Sequence, residues 1–167
     1  DSAGVLVFTI LSWLLSEFFV RKRRMALPAI VLLLSFVGGV YALSISFFEA
    51  ASEISFITAS AISTIAAYVH WVRFKVPITV AVGTAAIVGF LVLLTVNIFP
   101  DSKDWLLILL FLCGFVSFVF AMYWDSSDTS RITRKSDVAF WLHLLSAPLI
   151  IHPIFSGLGV LEGNESL

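Results

Sequence analysis

Cysteine is nearly missing from this chain of 167 residues. Cys113 is the only one, inside the run LLILLFLCGFVSFVF. A disulfide within the chain is therefore impossible, and so is a zinc site built on clustered cysteines. A lone thiol in such a run reads as buried packing. Charge is scarce as well, at 13% of residues, against ~25% in soluble domains. The net charge of −1 argues against a nucleic-acid-binding surface. No Gly-rich phosphate loop, HExxH, GxSxG or CxxC occurs, which removes the common nucleotide-binding, zinc-protease, serine-hydrolase and dithiol chemistries.

What is present is apolar. Hydrophobic residues make up 60% of the chain and the mean hydropathy is +1.05. A soluble fold of this length has too little interior to hold them, so the surplus is expected to face lipid. A spanning helix needs ~20 mostly apolar residues. Six runs qualify: 4–20, 25–48, 54–72, 76–99, 105–124 and 138–161. The predicted fold is an all-α, polytopic transmembrane bundle, a single integral membrane domain over 1–167, arranged as three antiparallel hairpins. Pro148, Pro153, Gly157 and Gly159 interrupt the last run, which predicts a proline-broken helix.

The loops alternate in charge. RKRR at 21–24, RFK at 73–75 and the loop carrying Arg131, Arg134 and Lys135 are basic. Those holding Glu49 and Glu53, PDSKD at 100–104 and the tail with Glu162 and Glu165 are acidic or poor in Lys and Arg. Cytoplasmic loops of membrane proteins carry an excess of Lys and Arg. The chain is thus expected in the plasma (inner) membrane of a bacterial-type cell, with basic loops cytoplasmic and both ends outside. An outside N-terminus is easier to explain if a helix precedes Asp1, so a partial or processed chain is expected. The basic cluster follows the first apolar run instead of preceding it, unlike a signal peptide. FVRKRRMALP and WVRFKVPI echo one another, but two spans plus turns need that length without any repeat.

Lipid tails are as apolar as leucine, so helices associate in bilayers through close contact and hydrogen bonds. Ser55, Ala59, Ser63 and Ala67 recur every four residues and form one stripe on the third span. Ala81, Ala85 and Gly89 repeat the spacing on the fourth, Ser35 and Gly39 on the second, and Cys113, Ser117 and Ala121 on the fifth. Spans three and four, joined only by RFK, are expected to pair tightly. The five tryptophans fall mostly near span ends, where indoles sit at headgroup level. Sixteen scattered phenylalanines suit lipid contact better than a stacking platform.

Ionisable groups inside a span are costly and are candidates for function by default. Glu17 precedes Arg21 by four residues, a favourable helical pair near an interface. His70 follows Ser63 by seven residues and so projects from the same face. His143 lies ~9 Å into the last span at ~1.5 Å per residue, which would let it meet His70 at similar depth, with Asp137 at the entry. His152 is nine residues farther on, ~900° and ~13.5 Å along a straight helix, and cannot share a ligand with His143. Prolines at 148 and 153 would free carbonyls near His143, Leu144 and Leu149, as in the discontinuous helices of transporters. His152 with Glu49 and Glu53 would form an outer polar layer with the donor types of a divalent-cation site.

Three functions fit these residues. The lead is a small transport or ion/proton-conducting unit, its site between spans three and six. The second is a non-catalytic membrane subunit whose small-residue faces dock on a larger membrane partner or a second copy. The third is an intramembrane haem protein or enzyme using His70 and His143. Partners follow from the composition as the lipid bilayer and no nucleic acid. Metal and cofactor stay open. The SRITRK loop is a candidate for contact with anionic lipid heads.

Overall fold

In lipid each backbone N–H and C=O needs a partner within the protein, and a helix supplies it within one segment. A computed structural model describes residues 2–48, 52–100 and 103–159. Among these residues all regular structure is helical, with no strand. Helix α1 spans Ser2–Ser16 and continues as a wider π-helical stretch, Glu17–Lys22. Then come α2 (Ala26–Ser46), α3 (Glu53–Phe74), α4 (Ile78–Ile98), α5 (Lys103–Ser126) and α6 (Lys135–Gly157). All six are long and apolar enough to cross a membrane. The protein is therefore compatible with a multi-pass membrane protein, as its composition predicts.

Local chemistry sets the helix ends. Ser52 caps α3: its Oγ accepts the Ser55 N–H at 3.2 Å, and its own N–H donates to Ser55 Oγ at 2.9 Å. This reciprocal capping box satisfies two donors that a helix start leaves orphaned. At the other end Lys75 adopts a left-handed conformation (φ 53°), and its N–H closes on the Trp71 carbonyl at 2.9 Å. Pro77 follows and cannot continue the helix. Between α5 and α6, Asp128 accepts from the Thr133 hydroxyl (2.7 Å) and from the amides of Thr133 (3.0 Å) and Ile132 (3.2 Å). The Thr133 hydroxyl, with these amides, holds the Asp128 carboxyl below its ordinary range.

The chain divides into two compact units, Asp1–Leu93 and Leu94–Leu167. In the first, α1 packs on α2 and α2 on α3. The buried face of α1 is small and polar: Thr9, Ser12 and Ser16. Its outer face is large and apolar, with Leu6, Val7, Phe8, Ile10, Leu11 and Leu14 exposed. This inverted distribution suits a helix bathed in lipid, where apolar contact gives no reason to turn inward and close approach does. Gly39 of α2 is where α1 comes nearest: a Cβ there would run into the Thr9 hydroxyl and stand 3.2 Å from Thr9 Cβ. The α4 backbone meets α3 at Gly83, where an added Cβ would lie 3.5 Å from Ala67 Cβ.

Within the second unit α5 lies against α6. Gly114, Ser117 and Ala121 are buried on α5, and Val138, Ala139, Leu142 and Ser146 on α6. A Cβ on Gly114 would meet Leu149 Cβ at 2.8 Å and Ile150 Cγ1 at 2.9 Å. Helix α6 runs as one element through Pro148 and Pro153. The interruption anticipated at those prolines is not established by these limits.

Most hydroxyls on the spans settle their hydrogen bonds locally. Thr9, Ser12, Ser16, Ser44, Ser60, Thr64, Thr84 and Ser117 each donate to the carbonyl four residues earlier, at 2.7–2.9 Å. This back-bonding lets a polar side chain sit in hydrocarbon without a partner on another helix.

Candidate functional site

His70 does not share that self-sufficiency. Its side chain is fully buried (0% exposed), near the C-terminal end of α3. The neighbours come from three other elements of the first unit. Thr79, in the first turn of α4, places Oγ1 3.4 Å from Nδ1. Phe36 of α2 lies with its ring 5.9 Å from the imidazole, and Trp13 of α1 stands edge-on at 6.1 Å. Phe74, one turn later on α3, is closest at 4.6 Å. Trp13 also packs against Phe36 and Phe74, each at 5.0 Å. The imidazole thus has one polar neighbour and a wall of aromatic rings. Nε2 has no hydrogen-bond partner. Two turns back on the same face, the buried Ser63 Oγ has none either.

An unsatisfied buried polar group costs about 1–3 kcal/mol. Two on one helical face, among hydroxyls that mostly bond within their own helices, mark a polar line inside this unit. Imidazole both takes up and releases protons, and the unprotonated nitrogen of the neutral ring can bind a cation. The geometry offers one nitrogen oriented by Thr79 and one available.

The remaining candidates are distributed as follows. On α3, Ser55, Ala59, Ser63 and Ala67 are all buried, and Glu53 is exposed in the first turn. On α4, Ala81 is buried, Gly89 half-buried and Ala85 exposed. Asp137 is exposed in the first turn of α6. His143 is half-buried with its ring 5.3 Å from Phe118 of α5. Its carbonyl accepts the Ser146 hydroxyl at 3.0 Å, a local partner beside Pro148. His152 is exposed. Glu49 lies outside the described residues. Among the described residues no three His, Cys, Asp or Glu side chains gather as a metal-binding set.

Sequence reasoning missed three features here. Trp13 packs on the aromatic wall around His70, a contact that its place in the sequence does not reveal. The polar stripe Thr9, Ser12, Ser16 was legible as an i, i+3, i+7 pattern on the first span. Glu17 pairs with Arg21 at 2.8 Å, as the spacing predicts, but it also receives Arg73 at 2.7 and 3.0 Å. No spacing rule connects residues 56 apart. The chain matches no protein-family model, and neither a curated protein nor a solved structure shows significant similarity to it.

Proposed function

We propose that this multi-pass membrane protein is a small proton- or ion-conducting or transporting unit, with His70 as the residue that takes up the proton or ion. The observation that supports the reading most is the buried imidazole with Nε2 unpartnered. Intramembrane ionisable residues are rare, costly and tied to ion and proton pathways. Thr79 Oγ1 lies 3.4 Å from Nδ1, and the unpartnered Ser63 hydroxyl on the same face supports a second polar station. His143 and His152, in the second unit, are separate candidates for the same role, to be tested independently. The alternating loop charges favour the plasma (inner) membrane, basic loops in the cytoplasm and both ends outside.

The test is proton or cation flux in liposomes holding purified protein and a trapped indicator dye. His70→Phe completes the aromatic wall and removes both nitrogens, and His70→Gln keeps a hydrogen-bonding end that does not titrate. Both are expected to lower flux at least tenfold while the protein elutes as a single species. Unchanged flux in a correctly assembled His70→Phe variant contradicts the proposal. A wild-type protein without flux that co-purifies with another membrane chain would favour the docking-subunit reading. A Soret band in the purified protein would favour the haem reading.

A further inference from the structure

The contact between Glu17 and Arg73 has a consequence apart from His70. It draws the end of α1 and the end of α3 together, and with them two basic segments distant in sequence. Arg21, Lys22, Arg23 and Arg24 leave the π-helical end of α1. Arg73 and Lys75 close α3. Six cations lie on the two segments that Glu17 joins, and Glu17 itself bridges Arg21 and Arg73. The other described acid of this unit, Glu53, begins α3, ~30 Å away at ~1.5 Å per residue. The cluster is therefore strongly positive in a chain whose net charge is −1.

Three of the cations lie over aromatic rings. Lys22 and Arg23 lie over the Phe18 ring at 5.9 and 5.5 Å, and Lys75 over Trp71 at 5.1 Å. Arg21 to Arg24 are exposed. Arg24 takes a left-handed conformation (φ 54°), ending the helix beneath it. Next to the cations on the same two helices come exposed apolar side chains: Leu14, Leu15 and Phe18 on α1, Val69 and Val72 on α3. Cations above an apolar flank match a molecule with an anionic head and hydrocarbon tails. A free anion has no use for the flank.

We propose that this end of the first unit is a binding site for the phosphate headgroup of an anionic phospholipid, with Arg23 and Arg24 as the principal contacts. Glu17 is a positioning residue that holds the two basic segments side by side. Each Lys or Arg near a membrane surface contributes about fivefold to the affinity for anionic lipid.

Native mass spectrometry of the detergent-solubilised protein, titrated with phosphatidylglycerol or phosphatidylcholine, tests this. Wild type is expected to retain phosphatidylglycerol preferentially. Arg23→Gln with Arg24→Gln is expected to weaken that retention about 25-fold, with helix content by circular dichroism unchanged. Excess inorganic phosphate is expected not to displace the lipid. Equal retention of both lipids, or an unaffected double variant, overturns the proposal. Displacement by inorganic phosphate overturns the lipid assignment in favour of a plain anion site.

Discussion

Gly114→Val is expected to destabilise the α5–α6 pair by about 3 kcal/mol, the upper end of what overpacking a close contact costs. The reason is local. An added Cβ meets not only side-chain atoms of Leu149 and Ile150 but the backbone carbon of Leu149 at 2.9 Å. Side chains rotate away from such a clash, whereas a helix backbone has to move as a whole. The two γ-methyls of valine deepen the overlap. Normally a glycine inside a helix costs roughly 0.5–1 kcal/mol relative to alanine. Even Gly114→Ala is therefore expected to be destabilising, because the contact outweighs the gain in propensity. Gly89 on α4 has nothing within 4 Å of the same position, and Gly89→Ala should show the propensity gain alone. Denaturant unfolding in bicelles, followed by circular dichroism, measures both. A Gly114→Val protein as stable as wild type would contradict the contact.

Two adjacent glycines on α2 should respond with opposite signs. Gly39→Ala is expected to cost about 2–3 kcal/mol, since its Cβ collides with the Thr9 hydroxyl and crowds Thr9 Cβ at 3.2 Å. Gly38, its neighbour, has open space around the corresponding position and faces outward. Gly38→Ala is expected to stabilise by about 0.5–1 kcal/mol through helix propensity alone. Thr9→Ala in the Gly39→Ala background removes the colliding oxygen, which otherwise only bonds its own helix at Val5 (2.7 Å). The double variant should therefore recover part of the loss, an interaction that a double-mutant cycle reads directly. Additive losses would mean that α1 does not approach α2 at this point.

The helices themselves were legible because lipid imposes a length and a composition on every span. The run 54–72 became Glu53–Phe74, and 76–99 became Ile78–Ile98. Capping and breaking chemistry accounts for these ends: Ser52 starts α3, and Lys75 with Pro77 separates it from α4. Which faces meet was harder to read. In water, an apolar stripe tells the inside from the outside; here Leu, Val and Phe cover nearly every face, and the inward signal is carried by small and hydroxyl residues. The four-residue stripe on α3, Ser55 to Ala67, is buried throughout, and so is His70 beyond it. The stripe Cys113, Ser117, Ala121 was one residue off at its start: Gly114 makes the close contact, while Cys113 is half-buried.

Contacts between distant segments stayed out of reach altogether. The ring cluster at His70 takes Trp13, Phe36 and Phe74 from three helices. Sixteen phenylalanines in the sequence give no reason to single out these two. Glu17 shows the same limit. Its partner four residues away follows from helix geometry, and its partner on α3 follows only from the fold.

The most direct test of the central claim, that hydrocarbon surrounds the outward faces of all six helices, is spin-label accessibility in a lipid bilayer. Labels would be placed one at a time through Val7→Cys, Val31→Cys, Ile65→Cys, Ile87→Cys, Val116→Cys and Leu144→Cys in a Cys113→Ala background. Each of these side chains is about half exposed or more, from 46% at Ile87 to 66% at Val116. At all six positions relaxation by oxygen, which dissolves in lipid, is expected to exceed relaxation by a water-soluble nickel chelate. Labels relaxed mainly by the nickel chelate, in a protein that stays monomeric without detergent, would contradict it.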